Sequence, residues 1–293
     1  MTAGNEGRPS HWKLYSLIGL MTFLWSVNFI VAKIALREFP PLLLMGLRLI
    51  IASLLILPVY LLQDHVSLRK ADLPRLLGVG MFGVALNQLF FVIGISRTTV
   101  AHAALTLGLT PVLVLLIAAA LRMERITLQK VAGMVTAIAG VAILQSTQTG
   151  KPSLLGDFFI FLASLTFALF TVMGKRSATR FDAITVNTAA YVGSAIAMLP
   201  VTIWQARTTP LTGISWTAWA CLFYMAAFAS VVCYQIYYYA IKRLTPSRVS
   251  AFSYFQPLLA SLMAVLWLGE SLTVPLVAGG SVIFAGVLLT ERG

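Results

Sequence analysis

The stretch Ala101–Ile143 (AHAALTLGLTPVLVLLIAAALRMERITLQKVAGMVTAIAGVAI) occurs again later in the chain as Ser247–Leu289 (SRVSAFSYFQPLLASLMAVLWLGESLTVPLVAGGSVIFAGVLL). Moving the first copy by 146 positions (257 − 111) places Pro111 on Pro257 without a gap. Each copy has an apolar segment with a central proline, a short turn with a glutamate, and a second apolar segment with glycines seven residues apart. Because an internal repeat fixes the architecture of a chain, it is the first feature to interpret.

The composition is that of a membrane protein. Of the 293 residues, 59% are hydrophobic and 10% are charged, and the mean hydropathy is +0.90, whereas soluble domains carry about 25% charged residues. A soluble helical core would need a polar face on each helix, and those faces are missing. The net charge of +12 comes from bases in short loops between apolar runs, a pattern that sets membrane topology rather than one that binds nucleic acid.

Ten apolar runs are long enough to cross a bilayer core, which takes about 20 residues as a helix. Their length and lack of alternation exclude barrel strands, and each run must satisfy its own backbone groups in lipid, so each is predicted to be a helix. The predicted spans are Leu14–Leu36, Pro41–Leu62, Leu73–Ile95, Thr99–Leu121, Thr127–Leu144, Leu154–Gly174, Ala183–Trp204, Trp216–Ile241, Val249–Leu268 and Leu272–Leu289.

Basic residues are divided unequally between the two sides of the predicted membrane. Fifteen Lys and Arg residues fall on the side of the N-terminus and five on the opposite side, which predicts that both termini are cytoplasmic. Glu124 then lies on the cytoplasmic side, and its repeat mate Glu270 lies on the outer side. The first run is too long for a signal-peptide core and has no clean cleavage site, so we expect it to be retained as a span.

The repeat extends upstream to take in the whole chain, because segment 25–33 aligns with segment 167–175 at a shift of 142 positions. The sequence thus predicts a cytoplasmic tail, 1–12, followed by two five-helix repeats, 13–147 and 153–290. Since five is odd, the two repeats enter the membrane from opposite sides, and inverted repeats of this kind serve alternating-access transport. A symmetric structural bundle or a channel is the alternative.

Three further motifs accompany the duplicated stretch: Trp25–Phe29 in the first span, Leu47–Leu49 in the second, and Tyr239–Ser247 before the ninth. Together they resemble the drug/metabolite transporter superfamily, more narrowly its EamA-type family, and within that family the chain resembles the bacterial aromatic amino-acid exporter. The resemblance implies a ten-helix protein of the bacterial inner membrane that exports aromatic or other neutral amino acids to the periplasm. An exporter of multiple drugs, cationic compounds or other metabolites is the alternative within the superfamily.

The sequence contains no motif that indicates catalysis. HExxH, GxSxG, paired central carboxylates and a glycine-rich phosphate loop are all missing. Cys221 and Cys233 lie in one apolar run without metal-ligand spacing. We therefore predict a transporter that is not an enzyme and has no catalytic residue, metal or cofactor. Its predicted partners are a small-molecule substrate and membrane lipids, and it is predicted to be a monomer.

At corresponding places in the two repeats, Pro111 and Pro257 lie near the middle of the fourth and ninth spans. A proline removes a backbone hydrogen bond and displaces the preceding turn, which here would free the carbonyls of Leu107 and Ser253. Paired breaks of this kind point to the binding site and the hinges of a transporter. The alternative is a kink that serves packing only.

Polar and aromatic side chains near these breaks are the predicted substrate-binding residues. Hydroxyl and amide groups would bind the carboxylate and ammonium of an amino acid, and rings would pack against an aromatic side chain. The alternatives are hydrogen bonds between helices and ordinary aromatic packing. The predicted residues are Trp25, Asn28, Gln88, Phe91, His102, Thr106, Thr110, Tyr234, Tyr237, Tyr238, Ser253 and Tyr254.

Arg48 is the charge nearest the centre of a predicted span. It either attracts a substrate carboxylate or forms a structural interaction, with Glu38 or a backbone carbonyl as the partner. The nine acidic residues all lie at helix ends or in loops, so the mid-membrane carboxylate that a proton-coupled cation antiporter needs is missing. His102 is the only candidate inside a span for titration near neutral pH. The sequence therefore favours uniport or weakly coupled export of a zwitterion.

Overall fold

The computed structural model describes residues 11–63, 69–146, 153–178, 180–268 and 273–293. Within these ranges the chain is helical and contains no β-strand. Most of the predicted N-terminal tail, the boundary between the two predicted repeats and Glu270 lie outside the described residues. The helices are α1 (His11–Ala35), α2 (Pro41–Leu62), α3 (Leu73–Gly80), α4 (Asn87–Arg97), α5 (Val100–Leu107), α6 (Thr110–Ala120), α7 (Leu128–Gln145), α8 (Leu154–Ala178), α9 (Ala183–Thr208), α10 (Trp216–Tyr224), α11 (Cys233–Arg243), α12 (Pro246–Ala251), α13 (Phe255–Leu268) and α14 (Val274–Arg292).

Nine helical stretches of the described chain are long and apolar enough to cross a membrane, judged by length and composition. They are Trp12–Ala35, Pro41–Leu62, Lys70–Arg97, His102–Ala120, Leu128–Gln145, Leu154–Ala178, Ala183–Thr208, Trp216–Arg243 and Val274–Arg292. The ninth predicted span corresponds to α12, a 3₁₀ turn and α13, and is not among these nine.

The helices match a bilayer in length and in the character of their outer faces. The 25 residues of α1 extend about 37 Å, which exceeds a hydrocarbon core of about 30 Å. Large apolar side chains point outward where a soluble protein would place polar ones: Ile196 is 66% exposed and Phe284 is 56% exposed. The chain is therefore a multi-pass membrane protein.

The glycines of the duplicated stretch form a close contact between α7 and α14, which we call the glycine seam (Gly133, Gly140, Gly279 and Gly286). A Cβ atom built on Gly140 would lie 2.8 Å from the carbonyl oxygen of Gly279, and one built on Gly279 would lie 2.8 Å from that of Gly140. Gly133 and Gly286 have the same mutual relation, at 2.7 and 2.6 Å. The two helices are thus antiparallel, and each contact has a repeat-equivalent contact. Only glycine permits so close a backbone approach.

The first and last helices meet at one end of the bundle, which we call the Glu124 end. There Tyr15 Oη donates to Glu291 Oε1 at 2.5 Å, and Glu124 pairs with Lys130 at 2.9 Å. Glu124 also accepts hydrogen bonds from the backbone N–H and the hydroxyl of Ser247. This contact joins the turn of the first copy of the duplicated stretch to the start of the second copy.

A lysine at the end of the first helix of each half caps the end of that half's third span. Lys33 Nζ donates to the Thr98 carbonyl at 2.6 Å, and Lys175 Nζ donates to the Leu244 carbonyl at 2.8 Å. Lys33 and Lys175 are repeat mates at the shift of 142, and Thr98 and Leu244 are mates at the shift of 146. A cation at a helix C-terminus satisfies its last carbonyls. The same device therefore stabilises both halves.

The two prolines lie beside helix breaks rather than at bends within continuous helices, which corrects the predicted geometry. The first break separates α5 from α6, with Pro111 as the second residue of α6; the second separates α12 from α13, with Pro257 as the third residue of α13. The N–H groups in the first turn of a helix have no acceptor within the helix, so a proline, which lacks an N–H, is tolerated there. The breaks occupy equivalent places in the two halves.

Two π-helical segments, which were not predicted, interrupt the third and eighth spans. They cover Met81–Leu86 and Met225–Val232, and the first falls on the second at the shift of 146. A π-helical turn leaves backbone carbonyls away from the regular hydrogen-bond ladder, and such turns are common at functional sites.

Candidate functional site

A cavity of about 110 Å³ lies between the two halves of the chain, close to both helix breaks and both π-helical segments. Its walls come from α1, α2, α4, α5 and α6 of the first half and from α8, α11, α12, α13 and the 3₁₀ turn of the second. The lining residues are Met21, Thr22, Trp25, Asn28, Phe29, Arg48, Asn87, Gln88, Phe91, Leu107, Thr110, Phe167, Tyr234, Tyr237, Val249, Ser250, Ser253 and Gln256.

One wall of the cavity is aromatic. The ring of Trp25 lies 5.7 Å from that of Phe167, 5.9 Å from that of Tyr234 and 5.7 Å from that of Tyr237, measured between ring centroids. The contacts with Phe167 and Tyr234 are edge-to-face, the arrangement that ring quadrupoles favour. Trp25 is held in place by its Nε1–H, which donates to the carbonyl of Ala229 in the second π-helical segment at 2.9 Å.

Hydrogen bonds fix the two tyrosines of this wall. The Tyr237 hydroxyl is 2.5 Å from Thr171 Oγ1, and the Tyr234 hydroxyl donates to the Gly83 carbonyl in the first π-helical segment at 2.7 Å. Each π-helical segment thus supplies a carbonyl that anchors an aromatic side chain from the other half of the chain. Rings whose rotamers are fixed in this way present a preformed surface to a ligand.

Within the described residues, Arg48 pairs with neither of the structural partners that were expected for it, Glu38 or a backbone carbonyl. Its Nε donates to Ser230 Oγ at 2.8 Å, and that hydroxyl in turn donates to the Met225 carbonyl at 2.9 Å. Glu38 instead accepts hydrogen bonds from the hydroxyl and the N–H of Ser215, which lower the pKa of its carboxyl. Glu38 thus binds the loop before α10. Arg48 lies on α2 about 10 Å along the helix axis from the first residue of that helix.

Arg48 is the one charged side chain among the described residues that line the cavity. It is 3% exposed, and the ion pairs of the described chain do not include it. A buried charge without a counter-ion is costly, and an anionic group in the cavity would lower that cost. Arg48 thus makes part of the cavity lining positive, whereas the aromatic wall is neutral.

Eight of the twelve predicted substrate-binding residues line the cavity: Trp25, Asn28, Gln88, Phe91, Thr110, Tyr234, Tyr237 and Ser253. The other four do not. Tyr238 turns towards α8 and packs on Phe170, with a centroid separation of 5.6 Å. His102 Nδ1 lies 3.6 Å from Asp157 Oδ2 at a part-exposed site. Tyr254 belongs to the apolar cluster between α7 and α14, and Thr106 is not among the lining residues.

Repeat equivalence identifies two lining residues that were missed. Phe167 is the mate of Trp25 at the shift of 142, and Gln256 is the mate of Thr110 at the shift of 146. By the same shift Gln88 corresponds to Tyr234, and Phe91 corresponds to Tyr237. The alignment that reveals the repeat could therefore have supplied Phe167 and Gln256 as candidates. Met21, Asn87 and Val249 carry no comparable signal.

Within the described residues, no group of three or more His, Cys, Asp or Glu side chains is placed to hold a metal ion. The cavity is instead built from rings, hydroxyls, amides and one guanidinium. Such a surface binds an organic molecule by packing and hydrogen bonds.

Apolar helices that surround a cavity lined by both halves of a duplicated chain define a helical membrane transporter. A model of the EamA-like transporter family matches residues 12–145 and again residues 154–292, and the chain belongs to this family. The two matches correspond to the two halves, so each half alone carries the family pattern.

Relatives and a solved structure agree with this assignment. An "uncharacterized transporter" of Archaeoglobus fulgidus is 25% identical over 280 residues, which cover 96% of this chain and 99% of the relative. The "uncharacterized inner membrane transporter YedA" of Escherichia coli K12 is 24% identical over 286 residues, covering 94% and 90%. A crystal structure with 20% identity superposes with a TM-score of 0.78 over 97% of this chain and 98% of the other, and so shares its fold.

Proposed function

We propose that this protein is an alternating-access exporter that moves aromatic and other neutral amino acids from the cytoplasm to the periplasm of a bacterium. The observation that carries the proposal is the cavity between the two halves, with its aromatic wall and its single guanidinium. The protein acts as a monomer in the inner membrane, since the cavity is complete within one chain.

The alternating-access mechanism is supported by the symmetry of the contacts. The glycine seam holds two repeat-equivalent helices in opposite directions, as halves that cross the membrane in opposite senses require. With ten spans, the ninth being α12 and α13, such halves exchange conformations to open the cavity to either side in turn. The Glu124 end, where the start of α1 meets the end of α14, is the cytoplasmic end in this proposal. The breaks beside Pro111 and Pro257 are the hinges.

The choice of substrate rests on the charge and shape of the cavity. Trp25, Phe167 and Tyr237 offer ring faces and edges to an aromatic or bulky apolar side chain. Arg48 opposes the entry of a cation, and the described lining contains no carboxylate that would attract one. These charges favour a neutral amino acid over the cationic compounds that other exporters of the superfamily carry.

The test is uptake into vesicles reconstituted with the purified protein. We expect saturable uptake of labelled phenylalanine, tryptophan or leucine, and no such uptake into protein-free vesicles. This uptake should continue after the proton gradient is collapsed. Uptake of an organic cation such as tetraphenylphosphonium without uptake of any amino acid would reject the proposed substrate class. Strict dependence on a proton gradient would reject the uncoupled mechanism.

Single cysteines at positions 124 and 270 test the inverted arrangement separately, in a background from which Cys221 and Cys233 have been removed. An impermeant maleimide should label position 270 from outside the cell and position 124 only from the cytoplasmic side. Labelling of both from one side would contradict opposite orientations of the two halves.

A further inference from the structure

We propose that Arg48, Asn28 and Gln88 form a subsite for the charged backbone of a zwitterionic amino acid, with Arg48 binding the carboxylate and the two amides binding the ammonium. This inference rests on the proposed function and makes it more specific. A transported amino acid would need an unmodified carboxylate and an unmodified ammonium group to bind there.

The guanidinium is oriented from behind by a chain of hydrogen bonds. The Ser230 hydroxyl gives its own proton to the Met225 carbonyl and so accepts from Arg48 Nε. Within the described residues this bond occupies only Nε, so the two terminal nitrogens of the guanidinium can bind a ligand in the cavity that Arg48 lines. A planar guanidinium binds a carboxylate through two parallel hydrogen bonds.

The two amides supply oxygen atoms that lack partners. Asn28 is 6% exposed and Gln88 is 2% exposed, and neither Asn28 Oδ1 nor Gln88 Oε1 has a hydrogen-bond partner within the described structure. Gln88 Nε2 donates to Tyr191 Oη at 3.1 Å, which sets the oxygen as the free end. A buried acceptor without a donor is unfavourable, and an ammonium group has three N–H donors to offer.

The residues that would bind the backbone and those that would bind the side chain line one cavity. Asn28 lies one helical turn from Trp25 on α1, and Gln88 lies one turn from Phe91 on α4. An amino acid whose charged groups met Arg48 and the two amides would therefore have its side chain beside the aromatic wall. A molecule with only one of the two charged groups would leave part of the polar subsite unpaired.

Equilibrium binding of three phenyl compounds to the purified protein tests the proposal. The probes are L-phenylalanine, which has both groups, 3-phenylpropionate, which has only the carboxylate, and 2-phenylethylamine, which has only the ammonium. We expect L-phenylalanine to bind about 10- to 100-fold more tightly than either analogue, as expected for loss of a charge-assisted hydrogen bond. Arg48→Met should remove the advantage over phenylethylamine, and Asn28→Ala or Gln88→Ala should reduce the advantage over phenylpropionate.

The matched control is Asn187→Ala, because Asn187 is also a fully buried asparagine with unpartnered amide atoms but lies outside the cavity lining. It should leave the ranking of the probes unchanged. If Arg48→Met does not fold, Arg48→Lys keeps the charge but loses the planar fork, and should weaken phenylalanine and phenylpropionate while sparing phenylethylamine.

Equal binding of phenylethylamine and phenylalanine to the wild-type protein would overturn the subsite. An unchanged ranking in the Arg48 variants, or no binding of any probe to protein that melts cooperatively, would do the same. If phenylalanine binding depended on Arg48 but the protein did not move phenylalanine across a membrane, the subsite would stand and the proposed exporter function would be rejected. If the subsite variants transported phenylalanine as well as the wild-type protein does, the proposed exporter function would stand and the subsite would be rejected.

Discussion

The glycine seam allows a prediction whose size follows from the structure. In Gly279→Ala the new methyl carbon would lie 2.8 Å from both the Gly140 carbonyl oxygen and the Leu144 nitrogen. Ordinary contact begins at 3.4 Å, so α7 and α14 must separate locally by about 0.6 Å, the difference between these values. Both obstructing atoms belong to the backbone, and no side chain can rotate away.

Overpacking of this kind costs about 1–3 kcal/mol, while the helix gains about 0.5–1 kcal/mol from replacing glycine by alanine. We therefore expect a net destabilisation of up to about 2 kcal/mol, seen as a melting temperature lowered by several degrees in detergent solution. Gly19→Ala is the matched control, because nothing lies within 4 Å of a methyl group there, and it should be neutral or stabilising. Gly140→Ala should behave like Gly279→Ala. If Gly279→Ala melts at or above the temperature of Gly19→Ala, the close antiparallel contact is wrong.

Three further predictions concern the cavity, the hinges and a loop outside the membrane. Tyr237→Ala should raise the KM for phenylalanine transport about fivefold, the equivalent of about 1 kcal/mol for a lost ring contact, with little change for alanine; equal effects on both substrates would contradict a contact with the aromatic side chain. Pro111→Ala and Pro257→Ala should lower the turnover number more than they change KM, because the restored N–H can donate across the break to the carbonyl of Leu107 or Ser253 and so stiffen it. Wild-type turnover in both variants would leave the prolines a packing role only. The hydrogen bonds from Ser215 lower the pKa of the Glu38 carboxyl, so the stability that they contribute is present at neutral pH and is lost as the pH falls through that lowered pKa. The chemical shift of the Ser215 amide should therefore titrate with a midpoint below 4.5, the usual pKa of a glutamate. A midpoint above 4.5 would contradict these hydrogen bonds.

The helices and the duplication were predictable because both depend on local sequence. Runs of apolar residues of bilayer length leave no alternative to helices, and the glycines seven residues apart in both copies are visible in the sequence alone. The family pattern was also visible in the motifs. These features need no knowledge of how one helix faces another.

The orientation of individual residues was less predictable. Helices in a membrane are apolar on all sides, so periodicity does not separate a side chain facing a cavity from one facing a neighbour. Tyr234 and Tyr237 line the cavity, whereas Tyr238, the next residue along the chain, does not and packs on Phe170. The π-helical segments depend on packing against other helices and carry no local signal. The partner of Arg48 lies 182 residues away in the sequence, beyond any spacing argument.

Counterflow tests the central claim, alternating access by a carrier, most directly. Vesicles containing the purified protein are loaded with a high concentration of unlabelled phenylalanine and diluted into a trace of labelled phenylalanine. A carrier that exposes one cavity to each side in turn must exchange the two, so the label should accumulate transiently inside above its external concentration, and empty vesicles should show no accumulation. Label that only equilibrates, at a rate independent of the internal load, would indicate a channel and contradict the account.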